Sequence, residues 1–348
     1  MLKVRFDVND ELLNVLRSVE SILSVNENGN ILKFVKFANV NNKLEITAIN
    51  PVTRLYYLMD VDGIEGDSAL YDYKTLIALL NVIKGTVVIE DGNIKSTKCA
   101  YKIPCEGAKD YPSEVLPDIA HNKINAKEFI EALENTSAAA DKVSSGIMGG
   151  VHIGEGKLIG CDSKRVAIEV LDLDENIQNI TLPRELIKEV LKLPFNSDIM
   201  IAPWGEGIII SDGSIKIVSA RLAGKYPLVE RILPKEVKHT IKIKNKDLYD
   251  ALVCVAPVID ETSKECYLEY DKNNMLIYVN NGLESAKTSI SIDSNVNEAI
   301  KVRFNIQFLL DMLKANGEVV TITTYSDNIG YKFTSSNKGF QYIMPLIN

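Results

Sequence analysis

At residues 109–117 the chain reads KDYPSEVLP, and at residues 224–234 it reads GKYPLVERILP. Tyr111 and Tyr226 lie 115 residues apart, and the segment that ends at Asn348 is about as long. A repeat of this length corresponds to a whole domain of roughly 100 to 150 residues, not to a solenoid unit. We therefore predict three tandem domains of one kind, at residues 1–117, 118–234 and 235–348, in a curved or closed assembly that touches a repetitive partner.

Two helical patterns recur inside each copy. Near the start stand an acidic residue, an apolar residue and a second apolar residue four positions later, which is the spacing of one helix face. These are Glu11, Leu12 and Leu16; Glu128, Phe129 and Leu133; and Asp247, Leu248 and Leu252. The second pattern comprises Leu76, Ile77 and Leu80; Leu186, Ile187 and Val190; and Phe308, Leu309 and Met312. Each copy should carry two helices.

Short runs rich in β-branched residues lie between and after the helices. They are separated by turn pairs such as Asn41-Asn42, Asp91-Gly92 and Asp212-Gly213, which are typical of β-hairpins. The order helix, hairpins, helix, hairpins predicts an α+β domain in which two helices pack on one side of an antiparallel sheet.

The composition is that of an ordinary globular protein, with 348 residues, 46% hydrophobic and 25% charged. The net charge of −8 argues against a protein that is basic all over, although local basic faces are still allowed. The first residues, MLKVRFD, do not resemble a signal peptide, and no apolar run approaches the roughly 18 residues of a membrane span. Five cysteines without a C-x-x-C pair fit reduced thiols. We expect a cytoplasmic protein with no membrane partner.

No catalytic constellation is apparent in the sequence. His121, His152 and His239 are far apart, and none has the neighbouring ligand spacing of a zinc site. The stretch GEGK at residues 154–157 lacks the glycine spacing and the following Ser or Thr of a phosphate-binding loop. We expect no cofactor, no metal and no enzymatic activity.

Four motifs at the predicted domain junctions carry a resemblance. They are GGVHI (149–153) followed by LIGCDSKRVA (158–167), then LPREL (182–186), KYPLVERILP (225–234) and YIMPL (342–346). In this order, on a threefold repeat, they resemble the bacterial DNA polymerase III beta subunit, the sliding clamp, over the full length of the chain.

The resemblance implies a head-to-tail homodimer in which six like domains close a ring around duplex DNA. Helices would line the hole and antiparallel sheets would form the outside, and a heterologous interface whose rotation closes gives a ring and not a fibre. By position, Tyr101 and Ile103 of the first domain should meet Val258 and Ile259 of the third. The alternative is that these four are merely half-buried strand and helix residues.

The resemblance also implies an apolar pocket between the second and third domains that accepts short peptides from the polymerase, the clamp loader and repair proteins. The matching positions are Met148, Cys161, Ser163, Lys164, Arg165, Val166, Pro227, Arg231, Ile232, Tyr342, Met344, Pro345 and Leu346. Methionine adapts to varied apolar ligands, and Arg165 and Arg231 could bound the groove and hold the polar ends of a peptide. The alternative, a tail that is simply the last core strand, accounts well for Ile343.

DNA contact in a sliding protein should be electrostatic and blind to sequence, through lysine and arginine against phosphate. The helix candidates are Arg17, Lys74, Lys127, Arg184, Lys188, Lys192, Lys246 and Lys314. Each could equally lie on a solvated helix face. The acidic total would then belong on the outside, where it limits non-specific binding.

The chain departs from the family pattern at several positions. Ser163-Lys164 stands where many clamps have glycine followed by histidine or threonine, and Gly146-Ile147 replaces an aromatic pair. These departures indicate a divergent clamp with its own partner preferences. Two other functions compete with this interpretation: an enzyme built on repeats, for which no converging acid, base and nucleophile is visible, and a monomeric three-domain scaffold that binds proteins without encircling DNA.

Overall fold

The computed structural model describes residues 2–23, 31–113, 116–117, 123–144, 146–174, 177, 179–314, 317–326, 329–334 and 339–346. The chain divides into two compact units, Met1–Phe129 with Glu185–Arg221, and Ile130–Arg184 with Leu222–Asn348. Each unit takes part of the second predicted domain, and the domain boundaries at residues 117 and 234 stay a prediction.

The same order of elements runs through each third of the chain. The first third contains β1 (Lys3–Val8), α1 (Asp10–Val19), β2 (Phe34–Val40), β3 (Lys43–Ile49), β4 (Thr53–Met59), β5 (Gly63–Glu65), β6 (Ser68–Asp72), α2 (Tyr73–Val82), β7 (Gly85–Glu90), β8 (Asn93–Ser96), β9 (Ala100–Lys102) and β10 (Cys105–Glu106). The second contains β11 (Lys123–Ile124), α3 (Ala126–Ala139), β12 (Val151–Gly154), β13 (Lys157–Cys161), β14 (Arg165–Val170), β15 (Ile180–Leu182), α4 (Arg184–Val190), β16 (Ile199–Trp204), β17 (Gly207–Ser211) and β18 (Ile215–Ala220).

The last third contains β19 (Val237–Lys244), α5 (Asn245–Val255), β20 (Glu265–Tyr270), β21 (Asn274–Asn280), β22 (Ser285–Ser291), β23 (Asp293–Ser294), β24 (Ile300–Asn305), α6 (Ile306–Leu313), β25 (Val319–Tyr325), β26 (Tyr331–Thr334) and β27 (Gly339–Ile343). Within the described ranges each third therefore has two α-helices. The predicted α+β fold with two helices per copy is confirmed.

The helices begin where the sequence provides a cap. Asn9 accepts the N–H of Leu12 at 2.8 Å ahead of α1, and Asp72 accepts the N–H of Thr75 at 3.0 Å ahead of α2. A side-chain acceptor at this position satisfies a backbone donor that has no partner inside the helix. Along α1 the apolar positions, including Leu12 and Leu16, are buried, as the one-face spacing predicts.

The first unit contains two antiparallel sheets. One has the strand order β5-β1-β7-β8-β9 and the other the order β10-β6-β2-β3-β4-β18-β17-β16-β11. We call the pairing of β4 with β18 the first seam, because it joins strands of the first and second thirds. At its centre Leu55 lies opposite Ile217.

A side-chain turn leads into the first seam at Asn50. Its amide oxygen accepts the N–H groups of Val52 and Thr53 at 2.8 and 2.7 Å. Its amide nitrogen donates to the carbonyl of Ile22, beyond α1, at 2.8 Å. Ala220, which ends β18, donates its N–H to the carbonyl of Val52 at 3.2 Å. One asparagine thus orders the turn and ties it to the end of the helix.

The second unit also contains two antiparallel sheets, with the strand orders β15-β12-β13-β14-β27-β26-β25-β19-β23 and β22-β21-β20-β24. The pairing of β14 with β27 is the second seam, and it joins strands of the second and third thirds. Val166 lies opposite Tyr342 there. A buried core that includes Phe304, Phe333 and Leu309 fills the last third.

The turn that leads into the second seam repeats that of the first. Asp162 accepts the N–H groups of Lys164 and Arg165 at 2.7 and 2.8 Å, and Met344 donates its N–H to the carbonyl of Lys164 at 2.9 Å. A carboxylate has no donor, so the bond to the end of the helix comes instead from the guanidinium of Arg165 to the carbonyl of Ala138. The backbone of the seam is preserved although its side chains differ.

Candidate functional site

The second seam carries an apolar floor on one face. Side chains alternate along a strand, so residues two apart share a face and line up across neighbouring strands. Two rows result from the register: Cys161, Val166 and Tyr342, and Ile159, Ile168 and Phe340. Cys161, Val166 and Ile168 are buried in a cluster to which Met148 adds a half-buried side chain.

The segment after β18 covers part of this floor, and Tyr226 fixes it. The tyrosine hydroxyl donates to Sγ of Cys161 at 3.2 Å, and its ring stacks on that of His152 with 4.7 Å between ring centroids. Val229 is buried in the same cluster. The Tyr-Pro ending of the second copy is therefore one wall of the site.

This wall, residues 224–233, also exposes apolar surface. Leu228 and Ile232 are 53% and 65% exposed around a 3₁₀ turn at Val229–Ile232. Lys157 on β13 pairs with Glu230 and holds the turn against the sheet. Pro227 and Arg231 are exposed beside them. Apolar side chains held open to solvent are typical of a protein-binding surface.

The C-terminal tail continues β27 at the end of this floor, next to the turn of the second seam. Met344, Pro345 and Leu346 are half-buried, and the N–H of Met344 is bonded to the carbonyl of Lys164. Ser163 and Lys164 are exposed in the turn at the rim. The structure therefore places the predicted pocket positions around the second seam in the second unit, and we call the surface bounded by the 224–233 wall and the tail the groove.

One predicted role in this set is wrong. Arg165 does not bound the groove, because its guanidinium is buried beneath it, 3.1 Å from the carboxylate of Asp311 and 3.3 Å from that of Asp162. It also lies over the ring of Phe308, with 4.1 Å to the centroid. Arg165 ties the seam to α6 and has no free donor edge for a peptide. Arg231 remains available for that task.

Sequence reasoning missed several groove residues, namely Ile159, Ile168, Leu228, Val229 and Phe340. The alternation of apolar residues along β13 and β14 could have identified Ile159 and Ile168, since they share a face with Cys161 and Val166. Alternation along these two strands could not have identified Phe340. It becomes a neighbour only through the pairing of β27 with β14.

Burial favours the neutral forms of three ionisable groups in and beside the groove floor, Cys161, His152 and Tyr226. It raises the pKa of the Cys161 thiol, an effect that the Tyr226 hydroxyl partly opposes by donating to the sulfur. It lowers the pKa of His152 and raises that of Tyr226. A floor without charge suits an apolar ligand.

The predicted DNA contacts lie on or next to helices. Arg17, Lys74, Lys127, Lys188, Lys192, Lys246 and Lys314 are exposed. Three of them have a nearby carboxylate: Lys192 lies 3.4 Å from Glu189, Lys246 lies 3.5 Å from Asp250 and Lys314 lies 3.8 Å from Asp311. Arg184 differs from the others, since its guanidinium donates to the carbonyls of Asp141 and Lys142.

The four predicted interface residues lie next to sheet edges. Tyr101 is half-buried on β9, which ends the five-stranded sheet, and Ile103 follows it and is buried. Val258 and Ile259 are half-buried beyond α5. Asn281, in the turn before β22, donates to the carbonyl of Val258 at 3.1 Å. The structure thus places one pair beside β9 and links the other to the turn that leads into β22.

No group of three or more His, Cys, Asp and Glu side chains in the described residues could hold a metal ion, and His121 lies outside that part of the chain. Among the helices of the described ranges, none has the length and apolar character needed to cross a membrane.

Comparisons with known proteins agree with the resemblance. The family model of the DNA polymerase III beta subunit, C-terminal domain, matches residues 230–342. The beta sliding clamp of Helicobacter pylori (strain J99) is 24% identical over 345 residues, which cover 91% of this chain and 89% of the relative. The beta sliding clamp of Streptococcus pneumoniae serotype 4 is 26% identical over 258 residues, 68% of this chain and 67% of the relative.

Solved structures of such proteins share the fold. The Helicobacter pylori beta clamp bound to a DNA ligase peptide has a TM-score of 0.84 and 20% identity, and the match covers 99% of this chain and 100% of that one. A sliding clamp from Pseudomonas aeruginosa bound to griselimycin has a TM-score of 0.86 and 18% identity, with both chains covered completely.

Proposed function

We propose that this chain, a divergent member of the bacterial DNA polymerase III beta subunit family, is a DNA sliding clamp. Two copies encircle duplex DNA without sequence preference. The groove then tethers the replicative polymerase, the clamp loader and repair proteins through short peptide motifs. In this function the chain is a non-catalytic cytoplasmic processivity subunit.

The observation that carries the proposal is a third copy of the seam turn. Asn281 accepts the N–H groups of Leu283 and Glu284 at 3.0 and 2.8 Å and donates to the carbonyl of Val258, beyond α5. Asn50 makes the same set of bonds ahead of β4. By this equivalence β22 is a seam strand, yet within the described residues it pairs only with β21.

The complementary strand is β9. Ahead of β18, the side chain of Asp212 accepts the N–H of Ile215, and the N–H of Asp212 donates to the carbonyl of Ile215. Ahead of β9, Ser96 and Cys99 make the same two bonds. In the described part of the chain β9 pairs only with β8. Each chain thus presents one free strand of each seam type. A second copy satisfies both, head to tail, and we propose that the rotation of this heterologous contact closes after two copies, which gives a ring.

The first seam sets the register expected across the two chains. Leu55, five residues after Asn50, lies opposite Ile217, five residues after Asp212. Tyr57, seven residues after Asn50, lies opposite Ile215, three residues after Asp212.

The same numbers of residues, counted from the turn residues Asn281 and Ser96, give the strand pairing expected between subunits. It places Ala286 opposite Tyr101 of the second copy. This pairing brings the proposed interface residues Tyr101 and Ile103 to the edge beside the Val258 turn. We propose Tyr101, Ile103, Val258 and Ile259 as interface residues on this basis.

We propose the groove as the partner-peptide site, formed by Met148, Cys161, Ser163, Lys164, Val166, Pro227, Arg231, Ile232, Tyr342, Met344, Pro345 and Leu346. What supports it is the uncharged floor bounded by a wall with exposed apolar side chains and by the half-buried tail. A similar clamp has been crystallised with a DNA ligase peptide and another with griselimycin.

We propose that Arg17, Lys74, Lys127, Lys188, Lys192, Lys246 and Lys314 supply the attraction to phosphate. They are exposed on or beside helices, and no single position is needed for a contact that slides. Arg184 contributes least, since its guanidinium is already bonded to backbone carbonyls.

The register can be tested by disulfide formation. Counting from the turns puts Thr288 opposite Cys99 of the second copy, and residues opposite each other in an antiparallel pair have Cα atoms about 4.5 to 5.5 Å apart, within the range of a disulfide. The variant Thr288→Cys, in a Cys254→Ser background, should form a covalent dimer through native Cys99 under mild oxidation.

The control is Ser289→Cys in the same background, whose side chain points to the other face of the strand and should cross-link far less. Light scattering should give a mass of two chains for both variants before oxidation. A mass of one chain at micromolar concentration, with no cross-link at Thr288→Cys, would favour the monomeric scaffold instead.

A further inference from the structure

A second cavity lies beyond the groove in the same unit. Its volume is about 800 Å³, and its lining includes Lys238, Tyr267, Lys301, Arg303, Tyr331 and Leu346. The charged side chains of the lining are all cations, Lys238 from β19 and Lys301 and Arg303 from β24. The combination of cations with tyrosine rings and hydroxyls fits an acidic ligand.

The C-terminal tail links the groove to this cavity. Met344 is bonded to the carbonyl of Lys164 at the groove, and two residues later the N–H of Leu346 donates to the carbonyl of Arg303 at 2.9 Å. Two residues of extended chain span about 7 Å. A peptide that leaves the groove along the tail therefore reaches the cavity within a few residues.

Lys301 is held in place by two tyrosine rings before any ligand arrives. Nζ of Lys301 lies 5.0 Å from the ring centroid of Tyr267 and 5.5 Å from that of Tyr278, and the two rings are stacked with 4.9 Å between centroids. A hydrogen bond with Tyr278 raises the pKa of Lys301, so the ammonium form is favoured.

Two carboxylates moderate the charge near the cavity. Glu265 lies 3.3 Å from the guanidinium of Arg303, and Glu269 lies opposite Lys301 in the sheet. Neither carboxylate is part of the lining. Since Arg303 is already paired, Lys238 and Lys301 provide most of the available positive charge.

We propose that this cavity binds an acidic residue of a partner peptide, two to four residues beyond the part that occupies the groove. The inference rests on the proposed function of the groove and adds a charge preference to it. A peptide is favoured over DNA because the cations stand on strands β19 and β24 next to the groove tail, whereas the proposed phosphate contacts lie on or beside helices.

The cavity can be tested by itself with a small probe. Leu346, Ile300 and Val302 line it and provide methyl groups for NMR of the full-length chain. Titration of these methyl signals at low salt should give a Kd for the tripeptide acetyl-Asp-Asp-Asp-amide at least fivefold lower than that for acetyl-Asn-Asn-Asn-amide. The double variant Lys238→Met, Lys301→Met should abolish the difference.

Lys272→Met is the matched control, since Lys272 stands in the turn between β20 and β21 of the same sheet and outside the cavity lining. It should leave the response to the aspartate peptide unchanged. Equal binding of both tripeptides, or an unchanged response in the double variant, would overturn the proposal. A tighter response to a short DNA duplex than to the aspartate peptide would assign the cavity to nucleic acid instead.

The tripeptide measurement needs no ring, so a monomeric chain that still binds the aspartate peptide would refute the clamp and keep the cavity. A further step links cavity and groove. The DNA ligase peptide that binds the Helicobacter pylori clamp can be extended by three Asp residues at its N-terminus or, in a second peptide, at its C-terminus. One of these two peptides should bind about tenfold more tightly than the same peptide extended with Asn, and the other should show no gain.

Discussion

The first and second seams share one backbone arrangement and differ in what their side chains hold. Three residues after the turn residue Asn50, the first seam has Thr53, whose hydroxyl lies 3.2 Å from that of Ser219 in a buried neutral pair. The second seam has Arg165 at the matching position, buried with Asp162 and Asp311. One seam is held by a hydroxyl pair and the other by an ion network that reaches a helix.

The faces of the two seams also differ in polarity. Where the first seam carries Arg54 and Lys216, the second carries Val166 and Phe340 at the corresponding positions. Two long cations keep the first face polar, whereas the second is an apolar floor. Repetition thus supplied the scaffold twice, and substitution at a few matched positions made only one of the seams suitable for an apolar peptide.

The largest expected difference between the seams concerns stability. Asp311→Ala would leave the Arg165 guanidinium buried without its main partner, which typically costs about 3 to 5 kcal/mol of unfolding free energy. Thr53→Val removes a neutral hydroxyl from the first seam and should cost about 1 kcal/mol. Calorimetry of both variants would measure the contrast as a shift in Tm.

The double variant Arg165→Met, Asp311→Leu sharpens this test, since apolar replacement of a buried ion pair is often neutral or stabilising. It should recover most of the loss caused by Asp311→Ala. Should Asp311→Ala prove no more harmful than Thr53→Val, the ion network would not be what holds the second seam.

The next contrast concerns binding. Ile232 is 65% exposed on the groove wall, and Val52 is 53% exposed in the turn of the first seam. On the proposed function of the groove, Ile232→Ala should weaken binding of an apolar partner peptide by about tenfold, equivalent to about 1.4 kcal/mol, because the ligand would lose apolar area it buries. Val52→Ala should leave the affinity unchanged. Isothermal titration of the two variants decides whether the ligand uses the second seam.

Equal losses in both variants, or none in Ile232→Ala, would place the apolar ligand elsewhere. Both side chains are solvent-exposed, so neither variant should change Tm by more than about 1 °C, given that surface substitutions are usually within 0.5 kcal/mol.

Much of the fold followed from local sequence signals. The helix faces around Leu12 and Leu16 gave α1, and the recurring Tyr111 and Tyr226 marked the copies. These signals are short-range, since a helix face or a turn pair lies within a few residues. They are therefore readable without knowledge of the tertiary structure.

The chemistry of the site was less accessible, because it depends on which strands pair. Arg165 and Asp311 are 146 residues apart, and Phe340 meets Ile168 only through the register of β14 with β27. An arginine in a surface-like turn motif gave no local sign that a carboxylate on α6 would bury it. Strand partners over such separations are not specified by periodicity alone.

The smallest contrast returns to the two repeated tyrosines. The hydroxyl of Tyr111 donates to the carbonyl of Phe34 at 3.1 Å, whereas that of Tyr226 donates to Sγ of Cys161, and sulfur is a weak acceptor. Tyr111→Phe should therefore cost about 1 kcal/mol of unfolding free energy and Tyr226→Phe about half of that.

A second readout separates the two variants by chemistry. Donation from Tyr226 opposes the rise that burial causes in the pKa of Cys161, so its removal should raise that pKa further and reduce the thiolate fraction at pH 8. Iodoacetamide should then modify Cys161 more slowly in Tyr226→Phe, measured with Cys99, Cys105 and Cys254 replaced by serine. Tyr111→Phe should leave the rate unchanged. Faster modification in Tyr226→Phe would contradict this account. It would mean that the Tyr226 hydroxyl acts by holding the wall closed over Cys161, so that the gain in exposure of the thiol outweighs the fall in its thiolate fraction.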